Sequence, residues 1–337
     1  MKYVPTEQLQ AGERLATDII APDGRLILRQ NVVLSERLID GLKRMRIGGV
    51  YVTDERFKHL KMNEGLGSRF RLQAVSKLKA VFDDIYATGD FSSKPTIEVS
   101  QEVVEEVNDK PNFAMQLQDV RNESNSLLSH SVNVCMLAVL TAKGMRYNID
   151  QMKIVAIGSL LHDIGYASAQ IGNLYGDHPK QGFDLLRSHQ EIPLLSAHIA
   201  LQHHERLDGT GFPYGMKHDE VREYAQICAV ANDFDNYINE PGTSRLPHEG
   251  IEFVMSRVGS CYSIAVVRAF VSQVCPYPIG TVVRLSNGMV GAVSEVNPAN
   301  MSRPKILLSD RDGSFSLMEH HTVFVDEVVS SWDLIAT

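Results

Sequence analysis

Leu160-Leu161-His162-Asp163-Ile164-Gly165 is the stretch around which the chain is organised. An apolar run of helical character delivers an adjacent His-Asp pair and stops at a glycine. Neighbouring positions on a helix point about 100° apart, so only a metal ion lying near the axis could take both side chains. The pair alone is a weak signal, since many such pairs are an exposed carboxylate beside an ordinary histidine. Its company strengthens it. Eight of the twelve histidines fall between His130 and His218, among them the doublet His203-His204, which Glu205 follows.

Working outward, the pattern from about 111 to 275 is predominantly helical. Leu127 to Ala142 carries His130. Asn148 or Asp150 caps the helix that runs toward His162. Gly176-Asp177-His178-Pro179 opens another, and Leu194 to His204 ends in the doublet. Asp208-Gly209-Thr210-Gly211-Phe212-Pro213 cannot continue a helix and predicts a tight loop. Tyr224 to Tyr237 and Pro247 to Val258 are read as the last helices. No long alternating pattern appears, so this region is expected to be all-α.

The flanks differ. Residues 1–55 read as a small β-rich module, with strand-like runs around the turn Pro22-Asp23-Gly24 and a helix capped by Ser35. Residues 56–110 read as a helical connector with Leu72, Val75, Leu78, Val81 and Phe82 on one face. After Pro276-Tyr277-Pro278 the period becomes two, and Asn287-Gly288 predicts a type I′ hairpin in a second β-rich module over 276–337. The fold class expected is mainly α, with small β-rich modules at either end of the helical domain.

With 337 residues, 44% hydrophobic and 22% charged, the chain can bury a sizeable core in two or three domains. A formal net charge of -8 argues against binding a nucleic-acid polymer, though not against a small anion held through a metal. The four cysteines are scattered, with no C-x-x-C, which fits reduced thiols and a cytoplasmic location. No uninterrupted apolar run approaches the ~18 residues of a membrane span, so no membrane association is expected.

The candidate ligands are His130, His162, Asp163, His178, His203, His204 and the polar pair Asn232-Asp233. Histidine with carboxylate and no thiolate suits Fe, Mn or Zn. One zinc would use three or four such ligands, and the surplus points to two metals bridged by Asp163. Two metals about 3.5–4 Å apart are the usual device for hydrolysing a phosphodiester. The sequence has no G-x-S-x-G, no P-loop and no Rossmann glycine pattern.

His162-Asp163-Ile164-Gly165, His178-Pro179 and the run His203 to Pro213 resemble the HD-GYP domain, a branch of the HD phosphohydrolases. The resemblance covers roughly residues 120–275. It implies an all-α domain with a two- or three-metal centre, often iron or manganese, that hydrolyses cyclic di-GMP to the linear dinucleotide or to GMP. By position, His130 matches the first histidine ligand, His162 and Asp163 the signature pair (the catalytic residues), His178 the histidine before proline, and His203 and His204 the doublet. Asp208, Gly209 and Gly211 would shape the loop that names the family and border the substrate, and Glu205 would orient a ligating imidazole. Arg245 and Arg206 are the candidate phosphate contacts.

The chain also departs from the family pattern. Tyr166 stands where a lysine near the substrate phosphate is usual and is a candidate substrate contact through a donated hydrogen bond, Phe212 stands where the name-giving tyrosine does, and Asn232 where a metal-binding aspartate falls, with Asp233 displaced by one. Ser126 replaces the glutamate of three-metal members, which favours two divalent ions (Fe or Mn, with Zn possible). Sixteen positions take His162 to His178, a shorter span than in many members. The alternative function is a catalytically silent domain that serves as a cyclic di-GMP receptor or protein-interaction module. A third is hydrolysis of another phosphoester. Beyond cyclic di-GMP, the expected partners are a diguanylate cyclase or other signalling protein, and a second copy of the chain in a homodimer.

Overall fold

The computed structural model describes residues 1–20, 26–45, 47–54, 68–109, 126–168, 174–240, 243, 245–308 and 313–329. The turn expected at Pro22-Asp23-Gly24 lies outside them, as does the side chain of Ser126. The protein is mainly α, as its patterning predicts, with short strands gathered at both ends of the chain.

At the N-terminal end, β1 (Lys2–Pro5) pairs antiparallel with β4 (Gly49–Val52), and β2 (Ile19–Ile20) with β3 (Leu26–Leu28). Helix α1 (Glu36–Arg44) begins where the Ser35 hydroxyl accepts from Leu38 N–H, satisfying one of the four orphan donors of a helix start. Ile39 and Leu42 then face Val4, Leu15, Leu34, Val50 and Val52 in a small apolar core.

Helix α2 (Ser68–Thr88) and α3 (Lys94–Asp109) lay Val75, Leu78, Val81, Phe82, Val99 and Val103 onto the main core. At its centre is α4 (Ser126–Gly144), which packs against α5 (Ile149–Leu160), α9 (Glu223–Ile238) and α11 (Ile264–Gln273). Its segment Leu127–Gly144 is long and apolar enough to cross a membrane by composition, yet 83% of it is buried among the other helices. It is the core helix of the domain. Asn148 caps α5 in a reciprocal box with Gln151.

Three short elements complete the surroundings of the site: α6 (Gly165–Ser168), α7 (Leu174–Arg187) and α8 (Leu194–Gln202). Helix α7 starts ahead of the Gly176 expected from sequence, so Pro179 lies inside it. Helix α10 (Pro247–Met255) follows α9, and α11 is a helix where the sequence reading had none. Its first turn carries three β-branched residues, Ile264, Val266 and Val267, and gives a poor helical signal. Ser263 nevertheless caps it by accepting from Val266 N–H, and burial of Val266, Val267 and Phe270 holds it.

The C-terminal sheet is antiparallel, in the order β8 (Ser314–Ser316), β7 (Lys305–Leu308), β6 (Val290–Glu295), β5 (Val282–Leu285), β9 (Val325–Val328). Apolar residues cover both of its faces. The β5–β6 hairpin is present, but its turn is not type I′. Type I′ needs positive φ at both central residues. Only Gly288 has it (φ 84), while Asn287 turns its side chain to accept from Met289 N–H. Gly288 N–H donates to Leu285 O, closing a type I turn with glycine in the left-handed position that follows.

Candidate metal centre

The site forms where helices stop. Helix α5 ends at Leu160, and His162 follows on a turn; its Nδ1–H donates to Ser159 O at 2.8 Å. Helix α8 ends at Gln202, and His203 Nδ1–H donates to Ala200 O at 2.8 Å. In both cases the acceptor is one of the last carbonyls of a helix, which have no partner within it. The bond sets the tautomer and leaves Nε2 as the free donor atom. Gly165 makes the next step possible. A Cβ there would lie 2.0 Å from His178 O, so only glycine lets α7 approach closely enough to deliver His178.

Asp163 lies at the centre, and its two oxygens face different histidines. Oδ1 is 3.3 Å from His178 Nε2 and 3.4 Å from His203 Nε2. Oδ2 is 3.3 Å from His162 Nε2 and 3.9 Å from His130 Nε2. Two ligand sets result, Asp163/His178/His203/His204 and His130/His162/Asp163, each with its donor atoms within 4.8 Å of one another. The carboxylate is the member they share.

Asn232 completes the second set. Its Oδ1 lies 2.8 Å from His130 Nε2, and Asn236 Nδ2–H donates to that oxygen at 3.1 Å, which turns the oxygen toward the imidazole. His130 Nδ1–H donates to Asp235 Oδ2 at 2.7 Å, so the two atoms that meet at Asn232 are both electron-pair donors. Among the described residues His162 Nε2 is buried with no hydrogen-bond partner, and His178 Nε2 and His203 Nε2 face each other at 3.3 Å. Donors about 2.1 Å from a shared ion are expected to lie roughly 3.0–3.4 Å apart. The residues present fit metal ions, and the unpartnered nitrogen is what such a site requires.

Electrostatics agree. Burial favours the neutral imidazole and brings His203 down to about 4; it lowers His204 further, helped by the neighbouring His203. Burial also acts on His162, but the adjacent Asp163 carboxylate outweighs it and raises the group above an ordinary imidazole. Asp163 would be raised by its own burial, yet His162, His178 and His203 hold it well below the usual carboxylate range. Near neutral pH Asp163 is therefore an ionised carboxylate and His203 and His204 are neutral imidazoles, the forms that bind metal, while the proton that Asp163 favours on His162 would leave as an ion binds.

The departures from the family pattern pack against the ligands. The Tyr166 ring stacks on His178 with centroids 4.2 Å apart, and Phe212 stacks on His204 at 4.4 Å. Glu205 plays a different part from the one its position implies. Its buried carboxylate accepts from Tyr214 N–H at 2.7 Å and Met216 N–H at 2.9 Å, clamping the loop that carries Phe212. Gly211 lies so close to the chain at Glu205 that a Cβ would approach its Cα to 2.5 Å. Gly209 sits in the left-handed region (φ 82), and Asp208 is exposed, its Oδ1 accepting from Thr210 N–H and Oγ1–H. These residues build the loop, and Gly211 packs against the His204 backbone.

Neither arginine joins the cluster in this structure. Arg206 donates both bonds of a bidentate pair to Asp233, at 2.9 and 2.8 Å, and lies over the Tyr262 ring, whose hydroxyl also donates to Asp233. Arg206 is thus held by a carboxylate, and both Asp233 oxygens are engaged by Arg206 and Tyr262. Arg245 donates to Tyr237 O at 3.0 Å, pairs with Glu240 and stacks on Tyr237 at 4.0 Å. Asp235, which the sequence reading passed over, is the addition. It lies three residues beyond Asn232 on α9, a spacing that shares one helix face and could have revealed it.

Helices and the turns that end them bring a His-Asp pair and three more imidazole sources, His130, His178 and the His203-His204 doublet, to one point around the carboxylate of that pair. Residues 140–253 match the family model described as HD domain. The cyclic di-GMP phosphodiesterase PA4108 of Pseudomonas aeruginosa is 28% identical over 215 residues, covering 58% of this chain and 51% of the relative. A Thermotoga maritima cyclic di-GMP phosphodiesterase is 42% identical over 96 residues, covering 28% and 26%. The chain thus aligns with about half the length of the first relative and about a quarter of the second. Bd1817, an HDG"Y"P protein of Bdellovibrio bacteriovorus, superposes with a TM-score of 0.50 at 16% identity, over 80% of this chain and 97% of that one, a likeness of fold. Residues 140–253 thus match an HD domain, and the chain is similar in sequence to cyclic di-GMP phosphodiesterases and in fold to an HDG"Y"P protein.

Proposed function

We propose that the chain hydrolyses the phosphodiester of a cyclic dinucleotide, cyclic di-GMP in the first instance, at a two-ion centre on Asp163. The observation that carries this reading is the division of the Asp163 oxygens between two sets of imidazoles. His130, His162, Asp163 and Asn232 would hold one ion, and Asp163, His178, His203 and His204 the other. Iron or manganese suits this donor set, as zinc also does. Two ions so held would lower the pKa of water and hold the phosphoryl oxygens against the attacking one.

The protein's own part is preorganisation. Ser159 O and Ala200 O fix the tautomers of His162 and His203, and Asp235 fixes that of His130. Tyr166 and Phe212 wall the second set with rings stacked on His178 and His204, and exclude water from the back of those imidazoles. Adding water across one P–O3′ bond opens the ring to a linear dinucleotide with a 5′-phosphate, and repetition gives GMP. The relatives named above as cyclic di-GMP phosphodiesterases support the choice of substrate.

We place the chain in the cytoplasm, as a homodimer whose end modules, each closed on its own apolar cluster, dock signalling partners. The experiment is turnover of cyclic di-GMP with Mn²⁺ or anaerobic Fe²⁺, beside the double variant His162→Ala, Asp163→Ala. Metal-dependent product that the variant does not form is the expected result. A folded, metal-loaded protein without product would overturn the hydrolase and leave the receptor.

A further inference from the structure

We infer that Asp235 is a positioning residue of the metal centre: it holds His130 with Nε2 toward the ion, and its buried charge stands in for the carboxylate that Asn232 lacks. The inference rests on the two-ion reading.

The argument begins with charge. Among the described residues the His130 set contains one carboxylate, Asp163, and that one is shared with the other set. Asn232 brings a neutral amide oxygen where a second carboxylate would ordinarily help to offset a divalent ion. Asp233, next in the chain, cannot supply it, because its oxygens are taken up by Arg206 and Tyr262.

Asp235 can supply it at one remove. It is fully buried, and Oδ2 takes the Nδ1–H of His130 at 2.7 Å. Oδ1 accepts from the amides of Asn133 at 3.1 Å and Asn239 at 3.0 Å, which fix the carboxylate against His130. Asn232 and Asp235 lie three residues apart on α9, so they reach the two nitrogens of the same ring from one helix face. A carboxylate behind a ligating imidazole raises its basicity and fixes its tautomer, and losing such a partner costs about 10- to 100-fold in metal affinity. A purely structural carboxylate would hold the helices together without altering metal binding.

The test is Mn²⁺ titration of the chelator-stripped full chain by calorimetry, with bound metal counted by mass spectrometry, for wild type, Asp235→Asn, and Asp235→Asn combined with Asn232→Asp. Wild type is expected to take two ions. Asp235→Asn should keep one at wild-type affinity and bind the second about 10- to 100-fold more weakly, and Asn232→Asp should restore it. Two ions at wild-type affinity in Asp235→Asn would overturn the inference and leave the two-ion reading standing. A second ion lost and not restored by Asn232→Asp would overturn the substitution of charge. Fewer than two ions in wild type would sink the two-ion reading and the inference with it. Nitrogen-15 NMR of metal-free wild type reads the tautomer without any variant: Nδ1–H on His130 is expected, and Nε2–H overturns the proposal even if Asp235→Asn does not fold.

Discussion

Glu205→Ala separates a loop clamp from a metal-site residue. In the structure the Glu205 carboxylate accepts two backbone N–H groups, from Tyr214 and Met216, and it is 1% exposed. A hydrogen bond to a charged group is worth about 1.5–3 kcal/mol net, and two N–H groups left without an acceptor cost at least about 3 kcal/mol together. For a domain of this size that lowers the thermal midpoint by at least about 6 °C. Loss of the clamp also frees Phe212 from its stack on His204, 4.4 Å away, so metal should be held more weakly by the Asp163/His178/His203/His204 set than by the other. Differential scanning fluorimetry of the chelator-stripped protein reads the first effect and calorimetric metal titration the second. A midpoint within about 1 °C of wild type, with metal binding lost, would refute the clamp and return Glu205 to the role of imidazole orienter.

Arg206→Ala should destabilise the metal-free protein by about 3–5 kcal/mol, because it strands the largely buried Asp233 carboxylate without its bidentate partner; urea unfolding measures it, and a loss below about 1 kcal/mol would return Arg206 to the surface as a phosphate contact. Acidification should destabilise the metal-free protein. The lowered pKa of His203, about 4, means its contribution is present above the unfolded value near 6.5 and is lost as pH falls toward 4, about 3 kcal/mol over that window. His204, also lowered, acts in the same sense; His162, raised, contributes below the unfolded value and partly offsets the loss. Urea midpoints that stay flat between pH 7 and pH 4.5 would contradict these assignments. Gly165→Ala should abolish metal binding by the His178 set, since the new methyl carbon would meet His178 O at 2.0 Å; unchanged metal stoichiometry would count against the close approach.

What could be read from the sequence, and what could not, follows from the range of the interactions. His162-Asp163, His178 and His203-His204 announce themselves because a ligand's identity is local, and clustered histidines with apolar neighbours have few other uses. The capped starts of α1 and α5 were legible for the same reason, since Ser35 and Asn148 act within three residues. Partners far along the chain were not. The three-residue spacing puts Asp235 on the helix face of Asn232, but only the fold shows that it meets His130, 105 positions away, and nothing around Arg206 shows that Asp233 claims it, 27 positions on. Glu205 was assigned to an imidazole because a carboxylate beside histidines has that use, but the folded loop brings two backbone N–H groups nearer. Helix α11 was missed because β-branched residues make a helix read as strand until burial decides, and the hairpin turn because Asn-Gly serves type I with a following glycine as well as type I′.

Anomalous diffraction from crystals of the Mn²⁺-loaded protein tests the central claim most directly. Two peaks are predicted on opposite sides of the Asp163 carboxylate, one among His130, His162 and Asn232 and the other among His178, His203 and His204. A single peak, or a pair that Asp163 does not bridge, would contradict it.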